Sequence, residues 1–292
     1  MEEKKHIGAA LSPDSTAPTL YVSDLDGTLM HKDLTISDLT VNTINELVKK
    51  GMHFSFATAR SLVTASKIAS KIEVSLPVIV YNGSFIMDSR TGEILNGVFF
   101  SKEESQKIGK CLLEHGVYPI VYAFRDGIEK YSYVPELISR AAAEFLQEKK
   151  GDIRDNPVPD AVSLMEGEIF YFTCIDEEEK LAPLYEAMKD AFYCVYQRDI
   201  YSGEQWLEIM PKQATKANAV ERLRQMLGCS RIISFGDGKN DIPMFQISDE
   251  CYAMGNAEDA LKGIATAVIG SNEEDGVAKW LQQNFKTDHF HI

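Results

Sequence analysis

The chain of 292 residues is short of positive charge: 30 lysines and arginines stand against 44 aspartates and glutamates, a formal net charge of −14. That balance leaves no basic face for nucleic acid or an anionic membrane surface, so neither partner is expected. It does not exclude a phosphorylated small molecule, which a metal ion and a few local cations can hold. Cysteine is scarce too. Cys111, Cys174, Cys194, Cys229 and Cys251 are odd in number and widely spaced, with no Cys-x-x-Cys. A disulfide framework and a zinc cluster are therefore not expected, and a reducing, cytoplasmic location is. No stretch approaches the ~20 apolar residues of a membrane span. No internal repeat or low-complexity segment stands out. Met1 to Pro18 contains Lys4 and Lys5 but no apolar run, and is expected to be a flexible polar tail rather than a secretory leader.

What is present is an ordinary globular composition, 45% hydrophobic and 25% charged. The length supports a large core and two domains. After the tail, Leu20–Val22 predicts a buried strand and Ile36–Lys50 an amphipathic helix. Ser37 would cap that helix, Leu39, Ile44, Leu47 and Val48 would form its stripe, and Gly51 would end it. His53–Arg60 predicts a strand, the segment from Ser61 a helix, and Leu76–Tyr81 a third strand. This β-α-β-α-β order is that of a parallel sheet with covering helices. From Ser84 the pattern turns to hairpins and mixed elements, including helices from Glu103, Pro135 and Glu177 and strands at 117–133, 168–175 and 191–198. Gly151–Asp160, with Pro157 and Pro159, predicts a loop. From Trp206 the strand-helix order resumes. The expected fold is α/β: a Rossmann-like parallel core formed by residues 19–86 and 202–292, with a mixed α+β cap inserted at 87–201.

The chemistry concentrates in Asp24-Leu25-Asp26-Gly27-Thr28, where the first strand runs out. Residues two apart on a strand share a side, so Asp24 and Asp26 are expected to converge. Crowded carboxylates stay ionised cheaply only beside a cation, and oxygen-only ligands favour a hard ion such as Mg²⁺. The same letters also fit an Asp-Gly turn after a core strand. Ligands of such sheets bind beyond the carboxyl ends of the strands, and Thr58 lies at another such end. Lys216 follows Thr215 at a helix start, with Lys212 as its competitor. Gly236-Asp237-Gly238-Lys239-Asn240-Asp241 follows the strand Arg231–Phe235.

In this order the four elements resemble the haloacid dehalogenase superfamily, and more narrowly its Cof-type sugar phosphatases. Ala253-Met254-Gly255-Asn256-Ala257 and Asn272-Glu273-Glu274-Asp275-Gly276-Val277 extend the resemblance over nearly all of the chain after residue 19. The resemblance implies a phosphatase of small phosphorylated metabolites. Asp24 would be the nucleophile that forms an aspartyl-phosphate. Asp26 would be the general acid and then base, its backbone carbonyl touching Mg²⁺. Asp24, Asp237 and Asp241 would complete the metal site, although Asp237 and Asp241 could instead cap the following helix. Thr58 and Lys216 would contact the phosphate, and Asn240 would offer its amide to the phosphate or to the metal's shell. Two positions depart from the pattern: Ala59 and Ala217 stand where the family usually has glycine. Arg125, Tyr131, Tyr133 and Arg198 are the expected cap candidates for reading a substrate. A phosphomutase and a catalytically silent sugar-phosphate-binding module are the competing readings.

Overall fold

The computed structural model describes residues 17–199 and 202–286. The chain enters as β1 (Thr19–Ser23), whose last four residues are buried. Helix α1 (Asp38–Lys49) follows, with the Ser37 hydroxyl accepting the N–H of Thr40. Its buried face is Thr40, Val41, Thr43, Ile44 and Leu47. Leu39, expected in the stripe, lies one position off that face and is 41% exposed. Next come β2 (His53–Phe56), α2 (Leu62–Ile68), β3 (Val78–Val80) and the hairpin β4 (Phe85–Met87) and β5 (Ile94–Gly97).

The second segment holds α3 (Lys102–Glu114), β6 (Ile120–Arg125), β7 (Ile128–Tyr133), α4 (Arg140–Gln147), β8 (Asp155–Pro157), β9 (Glu168–Ile175), α5 (Glu178–Met188), β10 (Tyr193–Arg198) and β11 (Gln205–Met210). The chain then returns through α6 (Lys216–Leu227), β12 (Arg231–Gly236), α7 (Ile242–Ile247), β13 (Glu250–Ala253), α8 (Asp259–Lys262), β14 (Ala267–Val268) and α9 (Gly276–Asn284). Among the described residues no helix is long and apolar enough to cross a membrane.

The strands form a parallel core sheet in the order β14-β13-β12-β1-β2 and a six-stranded cap sheet in the order β10-β11-β9-β6-β7-β8. A bridge between Ala57 and Ile79 carries the core sheet over to β3, which pairs antiparallel with β4. Three expectations need correction. The segment 151–160 is not all loop, because Asp155–Pro157 pairs in parallel with Tyr131–Tyr133. Its prolines had argued against a strand, but at a sheet edge proline costs few ladder bonds. The domain boundary at 202 separates β10 from β11, which are paired strands of one sheet. Likewise the boundary at 87 cuts the hairpin of β4 and β5. Strand character alone does not say which sheet Trp206–Met210 will join.

The cap sheet has two unlike faces, because alternate residues of a strand point to opposite sides. One face buries Val121, Ala123, Phe172, Cys174, Leu207 and Ile209 with Leu112 of α3 and Leu184 of α5. The other carries Tyr122, Tyr171, Thr173, Trp206 and Glu208 and looks onto the rim of the core sheet.

Candidate active site

At the carboxyl end of β1 the Asp24 N–H donates to the carbonyl of Phe235 (3.0 Å), tying the first loop to the last residues of β12. The strand stops at Ser23, so Asp24 and Asp26 lie on the loop beyond it and do not share a pleat as expected. Gly27 has φ of +72°, and a Cβ there would stand 2.1 Å from Oδ2 of Asp237. Only glycine lets this loop close against the fourth element. Thr28 then donates to Oδ1 of Asp237 (3.1 Å), and Asn256 donates to the Gly27 carbonyl (2.8 Å).

Lys216 sits at the start of α6, where the Thr215 side chain accepts the N–H of Asn218. Its ammonium is wholly buried and donates to Asp24 Oδ1 (2.5 Å) and Asp241 Oδ1 (2.7 Å). The other oxygen of Asp241 accepts the backbone N–H groups of Asp237 (3.0 Å) and Gly238 (3.1 Å). Asp241 thus folds its own loop and anchors the lysine. The rival Lys212 points to the carbonyl of Asp190 instead.

Carboxylate oxygens of Asp24, Asp237 and Asp241 all lie within 4.8 Å of one another. Burial pushes the Asp24 carboxyl well above its usual range, opposed by Lys216 and reinforced by Asp241 and Asp237. Burial and then the charge of Asp241 push Asp237 up to about 7. Burial alone would lower Lys216, but the two carboxylates outweigh it and hold its ammonium charged. Three ionised carboxylates facing one ammonium would leave two negative charges uncompensated, which is why the Asp24 and Asp237 carboxyls hold their protons more tightly without a further cation. The donors are all oxygen, which fits a hard divalent cation such as Mg²⁺.

Asp26 is not part of this triad. Its carboxylate accepts a two-pronged contact from Arg60, Nε to Oδ2 at 2.8 Å and Nη2 to Oδ1 at 2.5 Å. Thr58 is buried, and its hydroxyl accepts the Arg60 N–H (3.1 Å). It does not cap α2, since Ser61 does so. Ala59 and Arg60 line the cavity above it, and Asn240 lines the same cavity. The Asn240 amide donates to Oδ1 of Asn82 (3.1 Å). The volume is about 720 Å³, and Asp24, Asp26 and Asp237 form its floor.

Of the four expected cap residues, only Arg198 lines this cavity. Arg125 pairs with Glu166 and the Ser163 carbonyl, and Tyr131 is buried beside Tyr122. Sequence reasoning passed over Arg60, Asn82, Tyr171 and Glu208. Arg60 follows Thr58 at a strand end, and Asn82-Gly83 is a turn pair, so both stood at legible positions. Tyr171 and Glu208 lay inside ordinary strand patterns, with no local signal of their role.

A comparison with protein families matches residues 21–281 to the family described as haloacid dehalogenase-like hydrolase. Among curated proteins the chain is similar to the 5-amino-6-(5-phospho-D-ribitylamino)uracil phosphatase YitU of Bacillus subtilis. The two are 27% identical over 277 residues, which cover 92% of this chain and 98% of that protein. It is also similar to the phosphatase of the same description, YwtE, from that organism: 28% identical over 282 residues, covering 89% of this chain and 96% of the other. Among solved structures, a haloacid dehalogenase-like hydrolase from Bacteroides thetaiotaomicron superposes with a TM-score of 0.74 at 22% identity. That match covers 92% of this chain and 100% of the other. One from Bacillus subtilis gives 0.76 at 21% identity, covering 91% and 99%. At that identity the likeness is one of fold.

Proposed function

The chain belongs to the haloacid dehalogenase-like hydrolases, and on that premise we propose that it is a Mg²⁺-dependent phosphatase of small phosphorylated metabolites, acting through an aspartyl-phosphate on Asp24. The observation that carries this reading is the buried ammonium of Lys216 between Asp24 and Asp241, with two negative charges left over at the floor of an open cavity once all three carboxylates ionise.

Asp24 Oδ attacks the phosphorus and the bond to the leaving oxygen breaks. The Asp26 carboxyl gives that oxygen its proton. Asp26 then takes a proton from the water that attacks the phosphorus of the aspartyl-phosphate, and Asp24 is regenerated. Lys216 holds the nucleophile in place and offsets charge as the phosphoryl group arrives. Arg60 orients Asp26 toward the cavity. Asn240 offers its amide to a phosphoryl oxygen, and Thr58 shapes the loop beneath it. A bound Mg²⁺, held by Asp24, Asp237 and the carbonyl of Asp26 with Asp241 in support, would neutralise phosphoryl charge. Similarity to two phosphatases of a ribityl phosphate supports a hydroxyl-bearing organic phosphate as substrate.

The test is phosphate release from a panel of phosphorylated sugars, polyols and nucleotides, with Mg²⁺ and with chelator. Release that depends on Mg²⁺ is the expected result. Isomerisation of hexose phosphates without free phosphate would replace this reading with a phosphomutase.

A further inference from the structure

The cavity is far larger than a phosphate, and its upper wall is the polar face of the cap sheet. Glu208 stands in that wall, 8% exposed, opposite Thr173 on β9. Its Oε1 accepts the hydroxyl of Tyr171 (2.7 Å), and its Oε2 accepts the amide of Asn82 (3.3 Å). Both donors are neutral, and among the described residues no ammonium or guanidinium lies within ion-pair distance of it. A buried carboxylate is costly without a charged partner or further hydrogen bonds. Its two oxygens accept about four hydrogen bonds, and two are made here. Burial accordingly pushes Glu208 up to about 7.

Two residues along β11, on the same face, is Trp206. Its ring meets Phe145 edge to face at 4.9 Å, and both line the cavity. The Trp206 indole N–H has no acceptor among the described residues. The wall therefore combines a carboxylate with unused acceptor capacity and an aromatic surface. This combination suits a ligand with several hydroxyls along a C–H backbone.

We propose that Glu208 reads the leaving group, its carboxylate accepting hydrogen bonds from hydroxyls of a polyol or sugar moiety while the Trp206 ring covers the C–H face. The proposal rests on the phosphatase reading and adds the residue that sets selectivity. Asn82 fixes Glu208 and also binds Asn240, so the hydroxyl site and the phosphate site share one rigid amide. That amide sits in a left-handed turn, with φ of +54°, a conformation asparagine adopts more readily than most residues.

The test compares kcat/KM for sorbitol 6-phosphate and n-hexyl phosphate, which share a phosphate and a six-carbon chain. With the wild-type protein and Mg²⁺ the polyol ester is expected to be favoured by about tenfold or more, since hydrogen bonds to a charged group are being discriminated. Equal values, or preference for the alkyl ester, overturn the proposal. In Glu208→Gln the ratio is expected to fall toward one, with the loss confined mainly to the polyol ester. Equal losses on both esters would mean a structural role and overturn it. Should that variant fail to fold, as judged by its melting curve, the wild-type ratio decides. No phosphate release from either ester by the wild type sinks the phosphatase reading itself, and this proposal with it.

Discussion

The rim of the core sheet and the facing side of the cap sheet are built on opposite plans. The rim gathers charged groups and fixes them with backbone: Asp241 is held by two N–H groups and Asp24 by the end of a strand. The facing side of the cap sheet sets Tyr122, Tyr171, Thr173 and Trp206 around Glu208, and the cap also brings Glu144, Glu148, Lys149 and Arg198 to the cavity wall. Charge fixed in a low-dielectric pocket acts on the reacting atoms, whatever is attached to them. Neutral hydrogen bonds and aromatic faces act on shape and hydroxyl pattern. On the proposed reading, rate belongs to the rim and selectivity to the cap.

Variants can break that division. The largest effect is expected for Asp24→Asn, which removes the proposed nucleophile with little change of shape. Phosphate release should fall by about 10³-fold or more on every substrate alike. A substrate-dependent residue of activity would show that the rim also selects. Asp26→Asn comes next, with a loss of about 10²–10⁴-fold from missing proton transfer. Calorimetric titration should still detect Mg²⁺ binding in that variant, because its carbonyl remains.

Lys216→Met tests the rim's stability rather than its chemistry. Removing one partner of a buried ion pair costs roughly 3–5 kcal/mol. Denaturant unfolding of the metal-free variant should show a loss of that size, and a loss under about 1 kcal/mol would contradict the charge account. The smallest effect is one of pH. Asp24 and Asp237 have folded-state values above their unfolded ones, so their contribution favours the fold below the ordinary carboxylate range. For Asp237 it is lost as pH rises through about 7, and for Asp24 as pH rises through its own raised value. The melting temperature of the metal-free protein should therefore fall between about pH 5 and pH 8. Mg²⁺ should restore more of it at the higher pH, and no Mg²⁺ effect there would count against the metal site.

The same contrast governs what could be read in the letters. Asp24, Lys216, Asp237 and Asp241 stand where strands end and helices begin, and such places announce themselves through glycine, caps and spacing. Their convergence follows from a parallel sheet, which brings its carboxyl ends to one rim. Asp26 was legible as a residue but not its pairing with Arg60, which depends on how two loops lean together. On the cap, the strand pattern identified β9 to the residue, yet it could not say which face of that strand would meet the core. Tyr171 and Glu208 became visible only when Trp206–Met210 proved to lie in the cap sheet. The expected readers Arg125 and Tyr131 turned elsewhere because each found its partners within the cap.

The most direct test of the central claim is mass spectrometry of the protein quenched in acid during turnover of a phosphate ester with Mg²⁺. The account predicts a phosphoryl group on the peptide carrying Asp24, absent in Asp24→Asn. A protein that turns over while no phosphoryl ever appears on that peptide, or that keeps its turnover in Asp24→Asn, would contradict it.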